Sequence, residues 1–255
     1  MSGRESGADP ERHPYRWVIF GAMCNVYVAF GMIVLAIPPM VTQVRTELDI
    51  SRSTLGFALG AWALLYIVTA PPAGQIIDRI GLRRSLAAGS LLVATSAAVQ
   101  SAARDVAMLW LAIGIIGIGG PLVSLSAPKL VAVWFTSPRE RPLAVGLYTS
   151  APALGGACAL LLTNSVLLPV FGDWRSVLLF EAALNLLAAL VWMLVLTERK
   201  YLNVGRFAIL VSEDEPAFVE LLQGRIDVVI VVGKDRSFDL LRSILKPSEP
   251  VGVAP

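Results

Sequence analysis

The sequence predicts an all-α membrane protein, a bundle of six transmembrane helices followed by a short soluble-like tail with an α/β rhythm. Three observations carry this prediction. Of the 255 residues, 56% are hydrophobic and 16% charged, whereas a soluble domain carries about a quarter charged residues. So large an apolar surplus needs a lipid-facing surface. The apolar residues also fall into six runs, most of them near the ~20 residues that a helix needs to cross a ~30 Å hydrocarbon layer. Finally, the cationic residues gather at alternate junctions between the runs.

Residues 1–16 are polar and read as an N-terminal tail. The first run, Trp17 to Val41, spans 25 residues, too long for a signal-peptide core of about 7–15. The second runs from Leu55 to Ile77, the third from Ser85 to Ala102 and the fourth from Val106 to Phe135. The fifth runs from Leu143 to Phe171, with Pro169 near its end, and the sixth from Val177 to Leu196. The third is rich in Ser and Ala, a composition that favours packing against other helices over contact with lipid. The helical region is thus expected over 17–200.

Orientation follows from the loops. One side collects Arg4, Arg12, Arg16, Arg79, Arg83, Arg84, Arg139, Arg141, Arg199 and Lys200. The other collects only Arg45, Arg52, Arg104 and Arg175. The positive-inside rule then places the N-terminus and the tail after the sixth run in the cytoplasm of a bacterial inner membrane.

Small residues and prolines recur within the runs. Gly56 and Gly60 form a GxxxG pair, and Gly114, Gly117, Gly119, Gly120, Gly146, Gly155 and Gly156 follow in the fourth and fifth runs. Such residues let helices approach closely in lipid. Prolines at 38, 39, 71, 72, 121, 128 and 152 demand that neighbouring groups satisfy the carbonyls they free. A bundle that bends around a cavity uses these devices.

Several chemistries are excluded. His13 is the single histidine, and Cys24 and Cys158 both lie in apolar runs, so neither a metal site nor a disulfide framework is expected. No HExxH, GxSxG or intramembrane carboxylate pair occurs. No catalytic residue, cofactor, enzyme activity or nucleic-acid partner is expected.

Between the second and third runs stand Gly74, Asp78, Arg79, Gly81, Arg83 and Arg84. At every defined position they match G-x-x-x-D-R-x-G-x-R-R, and the stretch resembles the signature loop of the major facilitator superfamily. Physically, Gly74 would admit another helix, Gly81 would permit the reversal, and the two final arginines would anchor the loop. Asp78, at a helix end, would accept from a helix N-terminus or pair with an arginine. Trp134, Phe135, Pro138, Arg139, Glu140 and Arg141 resemble the family's W-F-P-x-R-E-R-G loop, with Pro142 in place of Gly. Gly172, Trp174 and Arg175 resemble its G-W-R element, and Ala151, Pro152, Gly155 and Gly156 are similar to the G-P-x-x-G-G element of drug/proton antiporters. The arginine that antiporters carry in the fourth span is replaced by Ile113. The resemblance covers about residues 15–200 and implies an N-terminal half built from two inverted three-helix repeats. It also implies secondary active or facilitative transport of a small solute by alternating access, with or without a coupling proton or other ion. A second six-helix half or a homodimer would complete the transporter. The rival readings are a non-transporting truncated remnant and a membrane scaffold or sensor.

Polar residues within spans are candidate ligands. They are Asn25 and Tyr27 in the first span, Trp62 and Tyr66 in the second, Ser124 and Ser126 in the fourth, and Tyr148 and Thr149 in the fifth. The resemblance implies that spans one and four line the cavity, which puts Asn25 and Ser124 first. Lys129 would either attract an anionic solute or snorkel to the interface. Glu181, inside the sixth span, reads as a structural residue or a proton carrier.

In residues 201–255, Phe207–Val211 and Ile226–Val232 read as strands, and Phe218–Gln223 and Phe238–Leu245 as helices. The stretch from Leu221 to Ile230 is similar, over few positions, to part of LysR-type effector domains. The tail is a cytoplasmic appendage, part of a neighbouring gene, or a frame-shifted second half; the sequence leaves these open.

Overall fold

The computed structural model describes residues 15–135, 137–195, 207–211 and 228–232. The chain divides into two units, Met1–Leu202 and Asn203–Pro255. In the second, β1 (Phe207–Val211) pairs in parallel with β2 (Val228–Val232), Phe207 opposite Val228. The expected helices at 218–223 and 238–245 lie outside the described residues.

The first unit is helical: α1 (Arg16–Val34), α2 (Val41–Leu48), α3 (Arg52–Ile80), α4 (Leu82–Ser101), α5 (Val106–Ser124), α6 (Ser126–Trp134), α7 (Glu140–Leu162), α8 (Leu168–Phe171) and α9 (Trp174–Val195). These make the six expected spans, three of which are broken. The first bends at Leu35–Ile37 into a 3₁₀ turn at Pro38–Met40, where consecutive prolines remove two donors. The fourth breaks at Leu125, between α5 and α6. The fifth passes through a π turn at Thr163–Leu167. Five spans combine helical length with strongly apolar composition. The exception is the Ser- and Ala-rich α4, whose face of Ser85, Gly89, Ser90, Ala97 and Gln100 is buried among its neighbours.

Local chemistry sets the ends. Ser51 Oγ accepts from the Thr54 N–H at 3.1 Å to open α3, and Asp105 Oδ1 accepts from Met108 at 2.7 Å to open α5. Gly81, at φ +84°, makes the reversal between α3 and α4 that disfavours any side chain.

Packing runs in the order α3, α5, α4, α9, α1, α7. Exchange each of the first three spans for its counterpart among the last three, and this order maps onto itself. The pair α3 and α5 becomes α7 and α1, α4 and α5 becomes α9 and α1, and α4 and α9 exchange with each other. Since α1 and α5 start from opposite ends of the bundle, the two three-helix repeats are inverted.

Glycine placement corrects part of the expectation. A Cβ at Gly155 would lie 1.9 Å from the Val28 carbonyl oxygen, and one at Gly31 would lie 2.1 Å from that of Pro152. Here α1 and α7 touch backbone to backbone. Gly56, Gly60, Gly74 and Gly146 have nothing within 4 Å of such a Cβ, so neither the GxxxG pair nor Gly74 seats a helix of this unit. All four lie on α3 or α7, the two ends of the packing order. Those helices also carry Phe57, Ile67 and Leu161, each more than 70% exposed.

Candidate functional site

Prolines build the site. Pro121 cannot donate to the carbonyl of Gly117, four residues earlier, and Pro128 cannot donate to that of Ser124. Each freed carbonyl finds a hydroxyl on another helix. Thr69 of α3 donates to the Gly117 oxygen at 2.6 Å. Tyr27 of α1 lies with its hydroxyl 2.7 Å from the Val123 oxygen and 2.8 Å from the Ser124 oxygen. The same hydroxyl accepts from the Ala127 N–H at 3.1 Å. It therefore occupies the break between α5 and α6, replacing one link of the helical ladder. Ser124 Oγ lies 2.6 Å from the Tyr66 hydroxyl, and Tyr148 stands edge-on to Tyr27 with ring centroids 6.2 Å apart. One cluster thus joins α1, α3, α5 and α7.

Beside it opens a cavity of about 520 Å³, walled by Phe30, Val34 and Leu35 of α1, Trp62, Tyr66 and Ile67 of α3, Ser124 of α5 and Pro152 of α7, among others. No charged residue among the described ones lines it. Of the residues singled out in the sequence, Trp62, Tyr66 and Ser124 are in its wall. Tyr27 is buried behind the wall and Tyr148 is half-buried against Tyr27. Asn25 is exposed on the α1 surface and does not line the cavity. The period explains this: Val18, Gly21 and Asn25 share the outward face of α1, whereas Met23, Val26 and Phe30 face inward. The aliphatic wall residues gave no signal in sequence, because lipid-facing and cavity-facing apolar residues look alike.

Lys129 also lies elsewhere. Its ammonium pairs with Asp78 and donates to the Gly74 carbonyl at 3.3 Å. Asp78 therefore takes a lysine where an arginine or a helix end was expected, and Lys129 takes a carboxylate where a solute was considered. The pair ties the end of α3 to α6. Arg83 donates to the Met193 carbonyl at 2.8 Å, and Trp192 Nε1 donates back to the Arg83 carbonyl at 3.1 Å. Together these bonds fasten the start of α4 to the end of α9. Arg79 and Arg84 are exposed. Arg16 pairs with Glu140 at 2.8 Å, joining the starts of α1 and α7. At the opposite end Arg175 pairs with Glu47 at 2.8 Å. Asp173 accepts from the Ser176 N–H at 2.7 Å and from its hydroxyl at 2.9 Å, and these bonds hold its carboxyl below the usual carboxylate range. No cluster of metal-ligating side chains occurs among the described residues.

The profile of the Major Facilitator Superfamily matches residues 19–231, beyond the residue-200 limit of the motifs. The puromycin resistance protein pur8 of Streptomyces alboniger is 30% identical over 200 residues, which are 77% of this chain and 39% of that protein. The galacturonate transporter of Dickeya chrysanthemi is 25% identical over 70% of this chain and 51% of its own length. A bacterial homolog of the human lysosomal transporter Spinster, solved inward-facing and unoccupied, superposes with a TM-score of 0.65. That match has 19% identity and covers 80% of this chain and 47% of that one. The chain spans about half the length, or less, of the proteins it matches.

Proposed function

This chain belongs to the major facilitator superfamily, and we propose that it forms one six-helix half of a transporter that carries a small solute across the bacterial inner membrane by alternating access. The observation that carries the reading is the cavity between α1, α3, α5 and α7, whose wall is formed by the four helices that the Tyr27 and Ser124 cluster connects. The arginine-rich loops support a cytoplasmic N-terminus and a cytoplasmic tail. A second six-helix unit, from a longer polypeptide or a second copy, would cover α3 and α7 and close the open side of the cavity. Cross-linking of cysteines placed at Gly60 or Gly146, in membranes, tests this. Only monomers would count against a second copy.

The lining favours an apolar or amphipathic solute over a sugar acid. A carboxylate entering this cavity would meet no cation among the described residues of this half, where Lys129 is held by Asp78, and a buried unpaired charge is costly. The name of pur8 fits this preference and that of the galacturonate transporter does not. The test is binding of ethidium, an amphipathic dye whose delocalised cation can stack on the Trp62 and Tyr66 faces in the wall where a carboxylate cannot, by fluorescence anisotropy to the protein in bilayers, with galacturonate as competitor. Ethidium should bind, Trp62→Ala should weaken it, and galacturonate should not compete. Competition by galacturonate, or equal binding by Trp62→Ala, overturns the assignment of the cavity.

A further inference from the structure

Among the described residues, the helix contacts leave the buried carboxyl of Glu181 without a partner. Glu181 is 1% exposed, and neither carboxylate oxygen has a hydrogen-bond partner among the described residues. One turn further along α9, Asn185 is 0% exposed and its amide is equally unpartnered. Both belong to the buried stripe of α9 that ends in Trp192, whose indole bonds α4. Glu181 and Trp192 are 11 residues apart, about three turns, so Glu181 faces α4 as Trp192 does.

Cross-links fix its level. Arg83 with Met193 and Arg175 with Ser101 set α4 and α9 antiparallel, which puts Glu181 level with Thr95 and Asn185 level with Leu91, next to the buried Ser96 and Ser90. The Ser96 hydroxyl is committed to the Ala112 carbonyl at 2.6 Å, while Ser90 Oγ is buried without a partner. The only titratable residues of α4 are Arg83 and Arg84, at its far end. Those of α1 are Arg16, paired with Glu140, Cys24, and Tyr27, committed to the α5–α6 break. α8 has none, and Arg175, the other charged residue of α9, is paired with Glu47. No described cation therefore neutralises Glu181. An ionised carboxylate in such a site would be desolvated and uncompensated, whereas the neutral acid has no net charge to solvate.

We propose that Glu181 and Asn185 form a proton-binding site in the bundle core at the α4–α9 seam, separate from the solute cavity, and that this site couples proton movement to transport. The carboxylate takes a proton from a hydronium ion, one O–H bond breaking there as one forms on the carboxyl and a water molecule leaving, and the neutral acid is the form this packing accommodates. It returns the proton to water when α9 parts from α4 and the site is hydrated. Glu181 lies seven residues from the start of α9, about 10 Å along the helix, so the exchange path is short at the end carrying Arg175. The existence of the site is independent of the transport reading; its use in coupling rests on it.

Dicyclohexylcarbodiimide, an apolar reagent that traps protonated carboxyls as N-acylureas, tests the site on the full chain in bilayers. Mass mapping across an acid-to-alkaline series should find the adduct at Glu181 in excess over Asp78, Glu140 and Glu47. It should decline about tenfold per pH unit above the titration. Glu181→Gln should lose the adduct while unfolding like the wild type, and Asn185→Leu should displace the pH profile. Absence of a Glu181 adduct at every pH, or a yield independent of pH, overturns the proposal. Suppression by sodium at constant pH overturns it in favour of a metal-cation site. An adduct with this profile in a protein that binds no ethidium leaves the proton site standing and removes the solute reading.

Discussion

Replacing Tyr27 by Phe removes one oxygen from the break in the fourth span. In the native protein that oxygen accepts from the Ala127 N–H at 3.1 Å and donates to the Val123 or Ser124 carbonyl, at 2.7 and 2.8 Å. The phenyl ring keeps its place against Tyr148, so the change is close to a pure loss of hydrogen bonding. Interhelical hydrogen bonds in bilayers average about 0.6 kcal/mol, which sets the lower end. A buried backbone group left without a partner costs about 1–3 kcal/mol. Here one N–H and one carbonyl are orphaned together, so the expected loss is about 1–3 kcal/mol after partial relaxation. The assay is reversible unfolding in mixed micelles, run as a cycle with Pro128→Ala. That second change supplies the missing N–H to the Ser124 carbonyl and lets the helix close without the tyrosine. In the Pro128→Ala background, Tyr27→Phe should lose less than half of its effect, giving a coupling of about 1 kcal/mol. Equal effects in both backgrounds would refute the idea that the hydroxyl substitutes for the link that proline removes. So would a neutral Tyr27→Phe.

Other outcomes follow from the same contacts. Gly155→Leu should drive α1 and α7 apart and destabilise the bundle by at least about 1–3 kcal/mol, while Gly60→Leu, with open space at its Cβ, should leave unfolding unchanged. Thr69→Val should cost about 0.6–2 kcal/mol, because the Gly117 carbonyl freed by Pro121 loses its donor; recovery in Thr69→Ser would assign the loss to the hydroxyl. Lys129→Ala and Asp78→Ala should each weaken the α3–α6 tie without weakening ethidium binding, and the double variant should be no worse than either alone. Asp173→Ala should destabilise the start of α9 by about 1 kcal/mol. Because the Asp173 carboxyl lies below its usual range when folded, this difference should be full above about pH 4 and disappear as the pH falls through the folded value.

Several features were legible in the amino-acid sequence alone. The six spans, their polar junctions and the loop from Gly74 to Arg84 follow from run length and residue order, since a helix crossing hydrocarbon must be long, apolar and internally bonded. The breaks were half legible: prolines 121 and 128 announced that carbonyls would be freed, and the fold places Thr69 and Tyr27 as their donors. These donors lie 48 and 97 residues away from the carbonyls they serve, a separation on which local pattern is silent. The pairing of Lys129 with Asp78 was hidden for the same reason. So was the distinction between glycines that seat a helix and glycines that face outward. In lipid, the apolar residues of a seam, a cavity wall and an outer face have the same composition, because lipid tails are as apolar as a core. Hydropathy therefore set which segments enter the membrane, and only the packing of one helix on another decided which of their faces meet.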